Sequence, residues 1–470
     1  MLKVIVEKEI REILGSVKFV ITFGACAVLI LLSFYIGAAN HKANVEQYNA
    51  AKAENTRQME GLTSWMSLEQ HRIFLPPQPL AALVTGSSND VGRTIDVHRR
   101  SELAAVDSKF NEDPIYAVFR FLDLTFIFQI VLSLFAIMLG YDAICGEKER
   151  GTLRLSFANP VPRATYILGK LLGSFITLVT ALLIAILLSC LILPLLGVSL
   201  TGDEWIRLAA IIGTGLLYFG VFLTLSVFVS SRTHRTSSAF LALLVIWVVS
   251  VLIVPRSATL LAGRAVDVPS IDELAAQKTS FSRQLWTEYR DAMGSFSAPK
   301  DIDPHDMMTH FNKFMDSLST EREAKMKVFS DRLNEDRFNR QVVQQKFAFN
   351  VARVSPAASM NLAAANLAGT SIGLKNRFHE TAMEYRKVFG DFIREKTGMN
   401  LGGGMIYVEI NDDGEKPDPI DPSELPVYTY SPKPLMASFS AAFVDIGILA
   451  LFNLIFFVGA FVSFIRYDVR

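Results

Sequence analysis

Cysteine is nearly missing from this chain, with three in 470 residues. Cys26, Cys145 and Cys190 lie in or beside strongly apolar stretches, and the two long polar segments contain none. That excludes a disulfide framework, a Cys-based zinc site and a cysteine nucleophile. Net charge is missing too, since 46 Lys and Arg balance 46 Asp and Glu. Without a basic excess there is no electrostatic case for binding nucleic acid. A phosphate-binding loop is also absent. No Gly-x-x-x-x-Gly-Lys-Ser/Thr occurs, and Gly402-Gly403-Gly404 runs into a strand-like alternation at 405–410 rather than a helix. Neither ATP nor Mg is expected to bind this chain, so energy from ATP would have to come from another polypeptide. Solenoid repeats are lacking as well.

What is present is apolar length. Half of the residues (51%) are hydrophobic and the mean hydropathy is +0.32. Six long apolar stretches, at 19–40, 124–141, 171–202, 208–231, 236–255 and 446–465, carry no Asp, Glu, Lys or Arg. Charge therefore crowds onto the rest of the chain, which has the composition of ordinary soluble protein. Each stretch is near or above the roughly 20 residues that cross a ~30 Å hydrocarbon core. The first is too long for the apolar part of a cleaved signal, and Ala38-Ala39-Asn40 makes no convincing cleavage site. The third would be about 48 Å long as one helix, so it must tilt, project or break near Pro194.

The expected fold class is an all-α polytopic membrane protein with six transmembrane helices and two extracytoplasmic segments, the larger mainly helical with a small β element. In order, the expected divisions are an amphipathic helix at 1–17, spans at 18–40, 119–141, 166–198, 206–231, 236–255 and 443–465, outer segments at 41–118 and 256–442, a loop at 142–165, and a tail at 466–470. Orientation follows from basic flanks. Lys3, Lys8, Arg11 and Lys18 precede span one; Lys148, Arg150, Arg154, Arg163 and Lys170 lie between spans two and three; Arg232 and Arg235 lie between four and five; Arg466 and Arg470 follow span six. The short loop between spans three and four offers only Arg207. Both termini are thus expected in the cytoplasm.

The outer segments have readable patterns. Residues 45–59 look helical and lead into the proline-rich run Phe74-Leu75-Pro76-Pro77-Gln78-Pro79-Leu80. At under 80 residues, this first segment is expected to pack against the second. In the second, Met307, Phe311, Phe314 and Leu318, then Met326, Phe329 and Leu333, recur with helical spacing, and a break is expected near Ser319-Thr320. The stripe reads as core, or as a greasy groove for a lipid or peptide. Ser355-Pro356 opens an Ala-rich helix that closes at Gly369. Residues 417–434 form a proline-rich tether back to the membrane. Asp301, Asp303, His305, Asp306 and His310 form the one acidic and histidine cluster, readable as a metal site or as a plain helix start.

One short stretch carries mechanism. Directly after span two comes Gly146-Glu147-Lys148-Glu149-Arg150-Gly151-Thr152-Leu153. Its spacing predicts a short interfacial helix with Glu147 and Arg150 paired at i,i+3 and Gly151 as a left-handed cap. Ile144, Leu153, Leu155 and Phe157 offer a membrane-facing side. On residues alone its charges could simply be solvated. The stretch continues with Ala158-Asn159-Pro160-Val161-Pro162-Arg163 and Ile167-Leu168-Gly169-Lys170, and as a whole resembles the permease subunit of ABC-2 type exporters. Pro76-Pro77-Gln78-Pro79-Leu80 with Gly86 is similar to a sequence in the first outer loop of those permeases. Ser355-Pro356-Ala357, Leu367-Ala368-Gly369-Thr370 and Tyr385-Arg386 resemble the DUF3526 branch, which has a large extracytoplasmic insertion.

That resemblance implies several expectations. Loop 142–165 would be a coupling helix seated in a cleft of an ABC ATP-binding subunit, the partner that holds ATP and Mg. Glu147, Lys148, Glu149 and Arg150 would form its ion-pairing surface, with Gly151 and Thr152 as the turn that ends it. Val4, Ile5, Ile10, Ile13 and Leu14 against Lys3, Glu7, Lys8 and Arg11 would form a connecting helix on the membrane surface, although a simple interfacial anchor fits the same pattern. A homodimer, or a pairing with a related permease, is implied. Gln129, Ser133, Thr177, Thr180 and Asn453 are candidate pathway-lining residues; interhelical hydrogen bonds are the plainer use of such side chains. The function expected is export driven by the separate ATPase. The alternative is ATP-driven mechanical transmission to an extracytoplasmic partner, with no passage of substrate.

Overall fold

The computed structural model describes residues 1–68, 70–88, 91–98, 105–106, 123–158, 162–295, 304–397 and 419–467. The strand expected at 405–410, together with Asn159, Pro160, Val161, Asp301 and Asp303, lies outside the described residues.

Helix α1 (Leu2–Leu14) is amphipathic and stops at Gly15. Ser16 then caps α2 (Val17–Arg57) by accepting from the Phe19 amide at 3.2 Å. The first apolar stretch and the helical pattern after it are thus one helix of 41 residues, because no proline interrupts the hydrogen-bond ladder. Strands β1 (Gln70–Phe74), β2 (Thr94–His98) and β3 (Ala105–Val106) form an antiparallel sheet in that order, with His71 opposite Val97 and Thr94 opposite Val106. Pleating turns His71, Ile73, Ile95 and Val97 inward, while Arg72 and Asp96 pair at 2.9 Å on the other face.

Span two is the run Leu124–Glu149. It comprises α3 (Leu124–Phe126), a π-helical turn (Ile127–Leu132), α4 (Ser133–Gly140) and α5 (Cys145–Glu149). After α6 (Thr152–Ala158), span three is α7 (Arg163–Cys190) followed by the single turn α8 (Ile192–Leu195), so the regular helix ends beside Pro194. Span four, α9 (Gly202–Arg232), opens on a capping box in which Glu204 reaches back to Thr201. Span five is α10 (Thr236–Trp247), a second π turn (Val248–Ile253) and α11 (Val254–Ala265). Next come α12 (Ile271–Gly294), α13 (Pro304–Ala352), α14 (Pro356–Ala368) and α15 (Gly373–Thr397). Span six is α16 (Leu435–Ile465). Among the described residues, six helices are therefore long and apolar enough to cross a membrane, and the chain is an all-α polytopic membrane protein.

The chain divides into two compact units, residues 256–351 and the remainder. In the larger unit, Ile30, Phe34, Phe128, Tyr218, Phe219 and Phe222 are fully buried in one core shared by α2, α4, α7, α9 and α16. Helix α14 enters the same core. Ala357, Met360, Ala363, Ala364 and Leu367 are all at 0% exposure, so segment 256–442 is not wholly apart from the spans. The reason is compositional: residues 354–374 carry no charge, and alanines allow close approach to neighbouring helices. Ser355 caps α14 through the Ala357 amide at 3.1 Å and donates to the Ser250 carbonyl in the span-five π turn. Arg353 Nε meets Asp445 Oδ1 at 2.7 Å, which places a fully buried carboxylate on α16 inside the expected sixth span. The first outer segment packs on the second: Ser87 Oγ donates to the Thr370 carbonyl at 2.8 Å, and His71 stacks on Phe389 with ring centres 5.9 Å apart.

The smaller unit is an antiparallel pair. Lys278 bonds Asn334 at 3.1 Å, Phe281 stacks on Phe329 at 4.1 Å, and Arg322 lies 4.0 Å over Trp286. Of the expected stripe, Phe329 packs on α12, and Phe311, Phe314, Leu318, Met326 and Leu333 are half-buried, while the side chain of Met307 lies outside the described residues. Helix α13 is unbroken at Ser319-Thr320, contrary to expectation. Contacts to α12 continue on both sides of that point, and Ser319 bonds back to the Asp316 carbonyl within the helix instead of capping a new one.

His71 yields a pH prediction. Burial lowers its pKa from 6.5 to about 4, and its Nδ1 has no partner. The unfolded chain takes up a proton that the folded one refuses, so stability falls as pH drops from 6.5 towards 4, by about 3 kcal/mol at full extent. Thermal unfolding between pH 7 and pH 4 should show this loss, and His71→Phe should flatten it.

Candidate functional site

The charged loop after span two makes a hub of helix ends. Ser230 Oγ accepts from the amides of Ile144 (3.0 Å) and Cys145 (2.9 Å), which caps the start of α5 from α9. Each charged side chain of α5 then reaches a different helix. Lys148 Nζ donates to the carbonyls of Ser231 and, at 3.3 Å, Thr233 at the C-terminus of α9, where the helix dipole favours a cation. It also lies 4.1 Å over the Tyr467 ring beyond α16. Glu149 Oε2 accepts from Thr236 N (3.0 Å) and Oγ1 (2.9 Å), so an acid sits at the N-terminus of α10. Gly151 has φ of 73°, the left-handed turn that the loop requires after Arg150. Thr152 Oγ1 lies 3.4 Å from the Glu147 carbonyl, folding the turn back on α5.

Glu147 is the member that the sequence pattern misplaces. It does not pair with Arg150 on an exposed face, because it is only 8% exposed and turned inward. Its Oε1 meets Lys170 Nζ at 2.9 Å and Lys8 at 3.9 Å, and its Oε2 accepts from the Tyr166 hydroxyl. Lys170, on α7, also meets Glu9 Oε2 of α1 at 3.3 Å. The buried ammonium therefore joins α1, α5 and α7. Of the four charged residues expected to face an ATPase, Arg150 and Glu149 are exposed, and Glu149 is engaged with Thr236.

In the sequence Lys170 stands out as a flanking charge and as the end of the Ile167–Lys170 stretch, and Glu9 does not stand out. The signal was present as Gly169-x-x-x-Gly173 around the lysine. A Cβ on Gly169 would lie 2.6 Å from Ile5 Cγ2, and one on Gly173 would lie 2.7 Å from Glu9 Cβ. These two glycines let α1 lie close across α7, so that Glu9 reaches the lysine. Burial pushes the Glu9 carboxyl up, with Lys170 pulling against it.

The candidate pathway residues are dispersed. Ser133 Oγ accepts from Trp247 Nε1 at 2.7 Å, and Asn453 Nδ2 donates to the Leu217 carbonyl at 2.9 Å. The Gln129 carbonyl, in the first π turn, accepts from the Tyr218 hydroxyl at 2.8 Å. Thr177 is buried and bonds the Gly173 carbonyl at 2.8 Å, while Thr180 is exposed on α7. Ser133, Asn453 and the Gln129 backbone are thus interhelical ties. Among the described residues there is no group of three or more His, Cys, Asp or Glu that could hold a metal ion. Of the 301–310 cluster, only His310 has a described side chain, and it is exposed.

Residues 3–469 match the family model described as ABC-2 family transporter protein. The chain is also similar to two proteins named probable ABC transporter permease protein NosY. The one from Pseudomonas aeruginosa is 37% identical over 133 residues, which is 28% of this chain and 48% of that protein. The one from Stutzerimonas stutzeri is 36% identical over 125 residues, 26% of this chain and 45% of that protein. The match thus spans about half the length of each relative.

Removing the lysine tests the hub. Lys170→Met leaves Glu9 and Glu147 facing each other with only the exposed Lys8 beside them, a loss on the order of 3–5 kcal/mol. The melting temperature in detergent should fall sharply, and adding Glu9→Gln and Glu147→Gln should restore most of it.

Proposed function

The chain belongs to the ABC-2 transporter family, and from that premise we propose that it is the permease subunit of an ATP-driven exporter. It is a multi-pass membrane protein with no phosphate-binding loop of its own. ATP and Mg are bound by a separate ABC subunit, which docks on the loop at 142–165. The permease works as a homodimer or with a related permease, in the inner membrane, with both termini in the cytoplasm.

One observation carries this reading: the surface loop is tied by side chains to four other helices. A push on Arg150, Gly151 and Thr152 reaches α7 and α1 through Glu147, α9 through Lys148 and α10 through Glu149. The docking face is smaller than the run Glu147-Lys148-Glu149-Arg150 suggests, because three of those side chains hold the loop to the permease. Closing two ATPase subunits would then rock the spans between two arrangements.

The unbroken 49-residue α13 paired with α12 favours a second reading, in which the movement works on an extracytoplasmic partner without passing substrate. Reconstitution with the ATPase separates the two. Substrate-stimulated hydrolysis with transfer out of the bilayer supports export, and stimulation only by an outer partner supports transmission.

Two variants test the loop. Arg150→Glu should abolish co-purification of the ATPase while leaving the permease folded. Glu147→Gln should keep co-purification but lower coupled hydrolysis by about tenfold, the effect of losing one coupling contact of a kcal/mol or two. Unchanged behaviour of both variants would contradict the proposal.

A further inference from the structure

At the opposite end of α9 from the loop hub lies a cavity of about 500 Å³, within the usual size range of a ligand site. Three cationic residues line it: Arg207 of α9, Arg377 of α15 and Lys433 just before α16. Arg207 is only 8% exposed, and all its partners are neutral acceptors. Its Nη1 donates to the Leu367 carbonyl at 3.3 Å and to Ser438 Oγ at 3.1 Å, and its Nη2 donates to the Lys433 carbonyl. No carboxylate among the described residues lies within ion-pair distance of it. A buried guanidinium without an anion is costly to hold, and supplying the anion relieves that cost.

The surroundings add positive potential. Helices α9, α15 and α16 all begin beside this cavity, at Gly202, Gly373 and Leu435, which sets the positive ends of their dipoles near it. The Lys433 ammonium is pressed down by burial first and by Arg377 and Arg207 next, as expected where like charges converge. Glu204 also lines the cavity but is spent on the Thr201 cap at 2.7 Å. Asp203 and Glu380 bring the formal charge of the lining back to zero, which suits one phosphate and disfavours a polyanion. Leu80, Leu374 and Leu435 give the same cavity an apolar wall.

We propose that this cavity binds a single phosphate group carried by a small amphiphile, with Arg207, Arg377 and Lys433 as its cationic contacts. The source is a lipid headgroup or a soluble phosphate ester, and the chemistry that recognises both is the same. The assignment does not depend on the transport reading, and binding can be measured without the ATPase.

The full chain, purified in a phosphate-free sugar detergent, is titrated calorimetrically with dihexanoyl phosphatidylglycerol, glycerol 3-phosphate, inorganic phosphate and dihexanoylglycerol. The phosphatidylglycerol should bind saturably, and dihexanoylglycerol, which lacks the phosphate, should not compete. Arg377→Gln and Lys433→Gln, both at half-exposed positions, should each weaken binding about tenfold or more, the scale of one lost charge-assisted hydrogen bond. Glycerol 3-phosphate binding as tightly as the lipid would support the site with a soluble source, lipid binding alone would support it with a membrane source, and inorganic phosphate binding as tightly as both would overturn the amphiphile. No saturable binding of any phosphate compound, affinity unchanged in both variants, or equal competition by dihexanoylglycerol would overturn the proposal.

Discussion

A lysine ammonium buried between two carboxylates sets the terms for one end of this molecule. Lys170 sits on α7 with Glu147 at 2.9 Å and Glu9 at 3.3 Å, and it is 5% exposed. Such a charge is tolerable at this depth only if its partners are held in place, since losing one leaves an uncompensated ion. Two demands follow. Helix α1 must lie against α7, which Gly169 and Gly173 allow, and the chain leaving span two must turn back to deliver Glu147. The loop is therefore positioned by electrostatics inside the protein rather than by its own helical preference, which a five-residue helix hardly has. Its remaining charges then fall at the end of α9 and the start of α10, where helix dipoles favour them.

Polar ties extend the same logic along the bundle. Two π turns present carbonyls to neighbours: Gln129 to Tyr218, and Ser250 to Ser355. Ser355 begins α14, and the residue two before it, Arg353, holds Asp445 of α16. At the far end Arg207 joins α9 to the end of α14 and the start of α16. Arg207 and Lys148 thus mark the two ends of one 31-residue helix, α9.

Much of this architecture was legible in the sequence. The six apolar stretches each became a span helix, Ser355-Pro356 and Gly369 bracketed α14, and Gly151 took the left-handed turn. Each is a local signal, in which hydropathy, a cap or a positive φ decides the outcome without reference to the rest of the chain. The errors came where tertiary contact decides. Glu147 and Arg150 are spaced to pair, yet Lys170, distant in sequence, outcompetes the arginine. Ser319-Thr320 looks like a break until α12 lies alongside it. The Ala-rich run 354–374 is too short and polar to read as a span, and only its neighbours reveal that it is buried with them. Asp445 lies inside the span expected at 443–465, where Arg353, distant in sequence, neutralises it. Charge spacing predicts neighbours within a helix; it does not identify partners across helices.

The central claim is that the loop moves as one body with α1 and α7. Spin labels at Val4, which is 68% exposed on α1, and at Arg154, which is exposed on α6 of the same loop, measure it directly by electron-electron distance spectroscopy. The account predicts one narrow distance distribution that stays in place when the ATPase binds nucleotide, and that broadens in Lys170→Met. A distribution that shifts with nucleotide in the unmodified hub, or stays narrow without the lysine, would contradict it.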